Sequence, residues 1–176
     1  MKTPRFTAFT FILFISVLQL APCSGYSQRA TSKNNDISLD FVDYLIKNTF
    51  SVQYEWKGNS TQSWTVRAEY VAPGQNTTAF GVGGEMRFFF LDSRALAEFS
   101  VGPTVDAYFF KNNDLGKSKI LFALGADFAH KWFFDSFTVE PSVGLRYGIT
   151  GSEVFPGIAI YTGVYLIGCL YLGYAW

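Results

Sequence analysis

From Thr49 to Tyr147 apolar and polar residues alternate along the chain with a period of two. Phe50, Val52, Tyr54 and Trp56 interleave with Ser51, Gln53 and Glu55, and Trp64, Val66, Ala68 and Tyr70 with Thr65, Arg67 and Glu69. Val82, Gly84, Met86, Phe88 and Phe90 are set against Gly83, Glu85, Arg87 and Phe89, and Phe99, Val101, Pro103, Val105, Ala107 and Phe109 against Glu98, Ser100, Gly102, Thr104, Asp106 and Tyr108. The same pattern joins Ile120, Phe122, Leu124, Ala126 and Phe128 to Ala123, Gly125 and Asp127, and Phe137, Val139, Pro141, Val143, Leu145 and Tyr147 to Thr138, Glu140, Ser142, Gly144 and Arg146. Alternation sustained in this way predicts strands with one apolar face. Turn formers punctuate them at Gly58-Asn59-Ser60, Pro73-Gly74-Gln75-Asn76, Asp92-Ser93, Asn112-Asn113-Asp114 and Gly151-Ser152.

The two ends of this array are less regular. Residues 155–176 hold 22 residues without a charge, a length that suits a membrane helix. Four glycines and the alternate placing of Leu172, Tyr174 and Trp176 favour a strand instead. That gives seven strands, and single-chain bacterial barrels have even numbers. The eighth is predicted at Ile37 to Ile46, ahead of a turn at Lys47-Asn48. An amphipathic helix capped by Asp36, with Asp40, Asp43 and Lys47 on one face, is the alternative there. The fold class expected is all-β: an eight-stranded antiparallel up-and-down transmembrane β-barrel, spanning residues 37–176.

Composition decides which face points out. Aromatics make up 19% of the chain and charged residues only 16%, well under the ~25% of soluble domains. An eight-stranded interior only just accommodates its own side chains, so the ring-rich face is predicted to meet lipid and the face of Gly, Ser, Thr and Ala to fill the lumen. Ring clusters at Trp56 with Trp64, Phe109 with Phe110, and Trp132 with Phe133 and Phe134 sit where interfacial girdles belong. The inward face then carries Glu55, Arg67, Glu69, Glu85, Arg87, Glu98, Asp106, Asp127, Lys131, Glu140 and Arg146. Enclosed charges need partners. A four-residue turn at Leu91 to Arg94 would set Arg87 across from Glu98, and Arg67 would reach Glu55 or Glu85. The expected outcome is a salt-bridge network that plugs the lumen. The acidic excess, seven against four, leaves a narrow cation path as the alternative.

The remaining signals concern targeting and chemistry. Lys2 and Arg5, the uncharged run from Phe6 to Leu20, and the small residues Cys23, Ser24, Gly25 and Ser27 form the three parts of a secretory signal peptide over residues 1–27, followed by a polar lead-in over residues 28–36. Cys23 as a lipidated cysteine fits poorly, because Pro22 precedes it. Cys169 is then the one cysteine of the mature chain and makes no internal disulfide. Formal net charge is zero, which gives no electrostatic reason to expect nucleic acid. No cysteine or histidine cluster points to a metal, and no cofactor is expected. His130, the single histidine, lies near a strand end beside Lys131 and Trp132 and close to Asp135 and Ser136. It reads as a rim residue rather than a catalytic one, so no enzyme is expected.

These segments also carry a resemblance. Gly84-Glu85-Met86-Arg87-Phe88, Phe99-Ser100-Val101-Gly102-Pro103, Val139 to Tyr147 and the closing Leu172-Gly173-Tyr174-Ala175-Trp176 resemble the small outer-membrane β-barrel families of Bacteroidota, which share their architecture with OmpX and the transmembrane domain of OmpA. The resemblance implies a bacterial outer-membrane protein surrounded by outer-membrane lipid. It also implies that Leu172, Tyr174 and Trp176 serve as the signal read by the barrel-assembly machinery, although such chains usually end in Phe. No catalytic residues carry over. With every predicted loop about nine residues or shorter, a structural envelope role is expected of a monomer, ahead of an adhesin, a narrow pore or a lipid-modifying enzyme.

Overall fold

A computed structural model of the chain describes residues 33–74, 76–90, 96, 98–151 and 158–176. The predicted signal peptide lies outside them. Eight strands form a closed antiparallel barrel in which each strand pairs with its neighbours in sequence and the last returns to the first. They are β1 (Asn35–Asp40), β2 (Thr49–Lys57), β3 (Gln62–Gly74), β4 (Thr77–Phe89), β5 (Glu98–Asn112), β6 (Lys117–Phe134), β7 (Phe137–Thr150) and β8 (Gly163–Ala175), with a short helix α1 (Phe41–Lys47) between β1 and β2. Among the described residues no helix is long and apolar enough to cross a membrane. The apolar run near the end of the chain is therefore strand, as the alternation predicts.

Side-chain direction follows the period of two. Phe88, Val105, Phe122, Leu124, Val143 and Leu145 face outward and are exposed, while Glu55, Thr65, Arg87, Asp106, Asp127 and Arg146 face inward and are buried. From Ile120 to Phe128 the outer face of β6 is apolar at every second residue, a stretch within the roughly 9–11 residues with which a tilted strand spans a bilayer. Rings gather outside at the end of the barrel that carries Trp176. Tyr54 stacks on Trp56, Tyr174 on Trp176, and Phe99 on Phe128. His130 belongs to this collar, with its ring 4.1 Å from Phe99 and 4.6 Å from Trp132.

Both end segments depart from expectation. The predicted strand Ile37 to Ile46 divides into β1 and α1. Period two holds through Asp36, Ser38 and Asp40, all buried. Asp40 then caps a helix, its Oδ1 accepting from the N–H groups of Val42 and Asp43 at 3.0 and 3.2 Å. This local bond competes with continued strand pairing. The cap is thus Asp40, not Asp36. Asn48, with φ 52°, closes the helix in the left-handed region and turns the chain into β2. Because β1 pairs with β8 only from Asp36 opposite Ala175 to Asp40 opposite Tyr171, α1 rather than a strand adjoins the rest of β8. There Val164 and Leu166 reach 70% and 73% exposure, the highest among the large apolar residues on the outside.

The last strand begins at Gly163, not at Phe155. A 3-10 turn, Ala159–Tyr161, precedes it, and the connection from β7 runs over residues 151–162, longer than the short loops expected. That connection sends Ile158 and Tyr161 inward, onto a cluster of Val71, Ala79, Tyr108, Phe110, Leu121 and Ala123. Phe110 was expected beside Phe109 in an outer girdle. It is wholly buried inside instead, as its place one residue beyond an outward Phe109 requires.

Candidate functional site

The lumen is the site, and it has two tiers of charge. In the tier nearer Trp176, Arg87 and Lys131 stand among Asp36, Glu55, Glu85 and Glu140. Lys131 Nζ donates to Asp36 Oδ2 at 2.7 Å, Glu55 Oε2 at 2.5 Å and Glu140 Oε2 at 2.9 Å. Arg87 reaches Glu85 through Nε at 3.1 Å, and Glu55 and Glu140 through Nη1 at 3.1 and 2.8 Å. Its Nη2 donates to Gln53 Oε1 at 3.3 Å. Ser63 Oγ donates to the other oxygen of Glu55. Each carboxylate shared by two cations ties two or more strands together across the barrel.

In the second tier Arg67 and Arg146 stand among Glu69, Asp106 and Asp127. Arg67 Nε meets Glu69 Oε1 at 2.6 Å and its Nη2 meets Asp106 Oδ1 at 2.6 Å. Arg146 Nε meets the second oxygen of Asp106 at 2.9 Å, and its two terminal nitrogens hold Asp127 at 2.5 and 2.7 Å. This last pair is the bidentate fork that guanidinium and carboxylate favour. Two glycines make room for it: a Cβ on Gly83 would strike Asp106 Oδ1, and one on Gly144 would strike Asp127 Oδ1. Above this tier Tyr108 donates its hydroxyl to Glu69 Oε2 at 2.9 Å and lays its ring against Phe110 and Tyr161.

Of the predicted lumen charges, ten of eleven, all but Glu98, fall into these two tiers. Two predicted pairings are wrong. Arg87 does not face Glu98. Strands β4 and β5 are joined by residues 90–97 rather than a four-residue turn, so Phe89 pairs with Ser100 and Glu85 with Thr104. The register moves by four residues, an even number that keeps every side chain on its expected face. Glu98 lies opposite Lys131 on β6 instead, half-buried at the rim. Arg67 does not reach Glu55 or Glu85. Its neighbour on β4 is Gly83, which has no side chain, so the guanidinium extends past it to Asp106 on β5.

Sequence reasoning missed Asp36, placed in the lead-in, and the inward rings Tyr165 and Tyr171; the alternation set Phe89 and Tyr108 on the inward face but gave them no role there. The alternation Asp36, Ser38, Asp40 against Ile37, Leu39, Phe41 was the signal for the first. Leu172, Tyr174 and Trp176 lie at alternate positions along the outer side of the chain end. Tyr174 and Trp176 are exposed, and Trp176 N–H donates to Asn35 O at 3.0 Å. Ser136 near His130 accepts from Lys33 Nζ at 2.8 Å, which gives that hydroxyl a structural partner.

An apolar exterior around a charged interior, on a closed eight-stranded antiparallel sheet, is the architecture of the small membrane barrels. The outer membrane protein Ail of Yersinia pestis, solved in phospholipid bilayer nanodiscs, has a similar fold, with a TM-score of 0.51 over 82% of this chain and 100% of that one. At 12% identity the likeness extends to the fold alone. No family model matches the chain, and no curated protein matches it.

Proposed function

We propose that the chain is an integral protein of the bacterial outer membrane with a structural role in the envelope, its lumen closed to solutes by paired charges. One observation carries the reading: bulky apolar side chains cover the outside at every second residue, while each lumenal guanidinium and ammonium is held by two or more carboxylates. Lipid is the solvent that rewards the first, and only an enclosed interior requires the second. The protein acts as a monomer without catalytic chemistry, and His130, among rings on the outer face, sits on the far side of the wall from the lumenal carboxylates. Export through residues 1–27 and recognition of Leu172, Tyr174 and Trp176 by the barrel-assembly machinery bring it to the membrane.

Fractionation tests the location. The protein is expected in the outer membrane, with a heat-dependent mobility shift on gels; inner-membrane recovery without a shift would refute the reading. Planar-bilayer recording tests closure. The second reading, a narrow cation path, is favoured by the acidic excess in the tiers, seven carboxylates to four cations. Stepwise cation-selective currents from the folded protein would establish it over the closed form.

A further inference from the structure

Between α1 and the second charge tier the lumen holds a cavity of about 30 Å³, wide enough for water, with Arg67, Glu69 and Arg146 on one side of its wall. Asp40, Asp43 and Cys169 line it, with Thr49 and Ser51. These residues come from the last position of β1, the first turn of α1, the body of β8 and the start of β2. One carboxylate oxygen from each aspartate and the Cys169 sulfur all lie within 4.8 Å of one another. Neither charge tier uses them.

Local structure accounts for part of this arrangement. Asp40 Oδ1 caps α1 and also takes the Leu170 N–H at 3.3 Å. The Cys169 S–H donates to the Asp40 carboxylate, so capping and this bond together account for Asp40 and the sulfur with no cation present, and a bound cation exchanges that bond for coordination. A second, independent observation points into the same cavity. Thr49 Oγ1 and Ser51 Oγ, each on a residue 3% exposed, have no hydrogen-bond partner. A buried polar atom without a partner costs about 1–3 kcal/mol, so two hydroxyls aimed at an acidic cavity call for an occupant that offers them something to bind.

We propose that Asp40, Asp43 and Cys169 form a site for one divalent cation of borderline softness, of which zinc is the type, with the Thr49 and Ser51 hydroxyls holding a water bound to it. One thiolate and two carboxylates with a fourth position left to water is a ligand set that suits zinc. Calcium needs six to eight oxygen ligands, and magnesium keeps an octahedral oxygen shell; two carboxylates converging with one sulfur supply neither. On binding, the Cys169 S–H bond breaks, the sulfur coordinates the metal as thiolate, and the proton leaves to water. The three anionic ligands then exceed the cation by one charge, and the Arg67 guanidinium, on the wall of the same cavity, faces that surplus.

The test uses the tag-free barrel, reduced and folded in detergent micelles, titrated with Co²⁺ as a spectroscopic stand-in for Zn²⁺. One Co²⁺ per barrel should bind with a thiolate-to-cobalt charge-transfer band in the near ultraviolet, be displaced by one Zn²⁺ but not by Ca²⁺ or Mg²⁺, and bind more weakly as pH falls. C169S should abolish the band. D43N, and T49V combined with S51A, should each weaken Zn²⁺ binding on the order of 10–100-fold. Heat-dependent gel mobility confirms that each variant is folded. A folded wild-type barrel without the band, a band that persists in C169S, or displacement by Ca²⁺ as readily as by Zn²⁺ would overturn the proposal. The wild-type titration decides it even if every variant misfolds.

Discussion

The two halves of the lumen solve the same filling problem with opposite chemistry. Nearer Trp176 the space is occupied by ions: Arg87 and Lys131 bridge Asp36, Glu55, Glu85 and Glu140. At the other end it is occupied by rings and aliphatic groups, with Phe110, Leu121 and Ile158 wholly buried and Tyr161 packed against them. The charges of the first half all stand on strands. The second borrows residues from the long connection between β7 and β8. Ion tiers depend on every partner being present, because a buried charge left alone keeps its desolvation cost. A packed apolar cluster loses roughly in proportion to the volume removed. The halves should therefore fail in different ways.

Removing a cation should show the larger effect. Arg87→Met takes from the first tier a group that is 2% exposed and leaves four carboxylates with Lys131 alone. Breaking a buried ion cluster on one side costs about 3–5 kcal/mol, so urea unfolding in lipid vesicles should show a loss of about 4 kcal/mol. Adding Glu140→Gln should restore part of it by reducing the unbalanced negative charge. A loss under about 1 kcal/mol in the single variant would mean that water or salt already screens the tier. In the ring half, Phe110→Ala should cost about 3 kcal/mol, the lower end for a buried Phe, with no rescue from any charge change. If Phe110→Ala instead proved the more damaging, the contrast between the halves would be reversed.

How far each half could be read in the sequence also differs. The period of two puts Arg87, Glu55, Glu140 and Lys131 inside, because alternation assigns a face regardless of register. It could not pair them. The Arg87–Glu98 pairing failed on the length of the β4–β5 connection, and the Arg67 pairings on the missing side chain of Gly83, neither of which a hydrophobic pattern encodes. The ring half was less legible. Tyr108 follows the alternation inward, but rings read as lipid-facing by composition, and Ile158 and Tyr161 come from a connection with no periodicity at all. Residues 41–47 were ambiguous for a different reason. Their helix hangs on the cap at Asp40, whose Oδ1 takes the N–H groups of Val42 and Asp43, a local choice that overrides the strand register on either side.

Tyr108 is where the two chemistries meet, and it allows the contrast to be measured. Its ring belongs to the apolar cluster and its hydroxyl donates to Glu69 of the second tier. Tyr108→Phe keeps the ring and removes one hydrogen bond to a charged group, with an expected loss of about 1.5 kcal/mol.

The smallest expected effect is the most informative one. Arg87 and Phe110 share no hydrogen-bond, ion-pair or ring partner among the described residues: the contacts of Arg87 are Gln53, Glu55, Glu85 and Glu140, while Phe110 meets Tyr108 and Tyr161. Sites without shared partners add to within about 0.5 kcal/mol. The double variant Arg87→Met with Phe110→Ala should therefore lose the sum of the two single losses, with a coupling below that limit. Tyr108→Phe combined with Glu69→Leu should not add, because each removes the bond from the Tyr108 hydroxyl to Glu69, and their coupling should approach the full loss of Tyr108→Phe alone. A large coupling between Arg87 and Phe110 would show that the lumen unfolds and repacks as one body. The division into an ionic and an aromatic half would then describe where side chains lie without describing how the barrel is held.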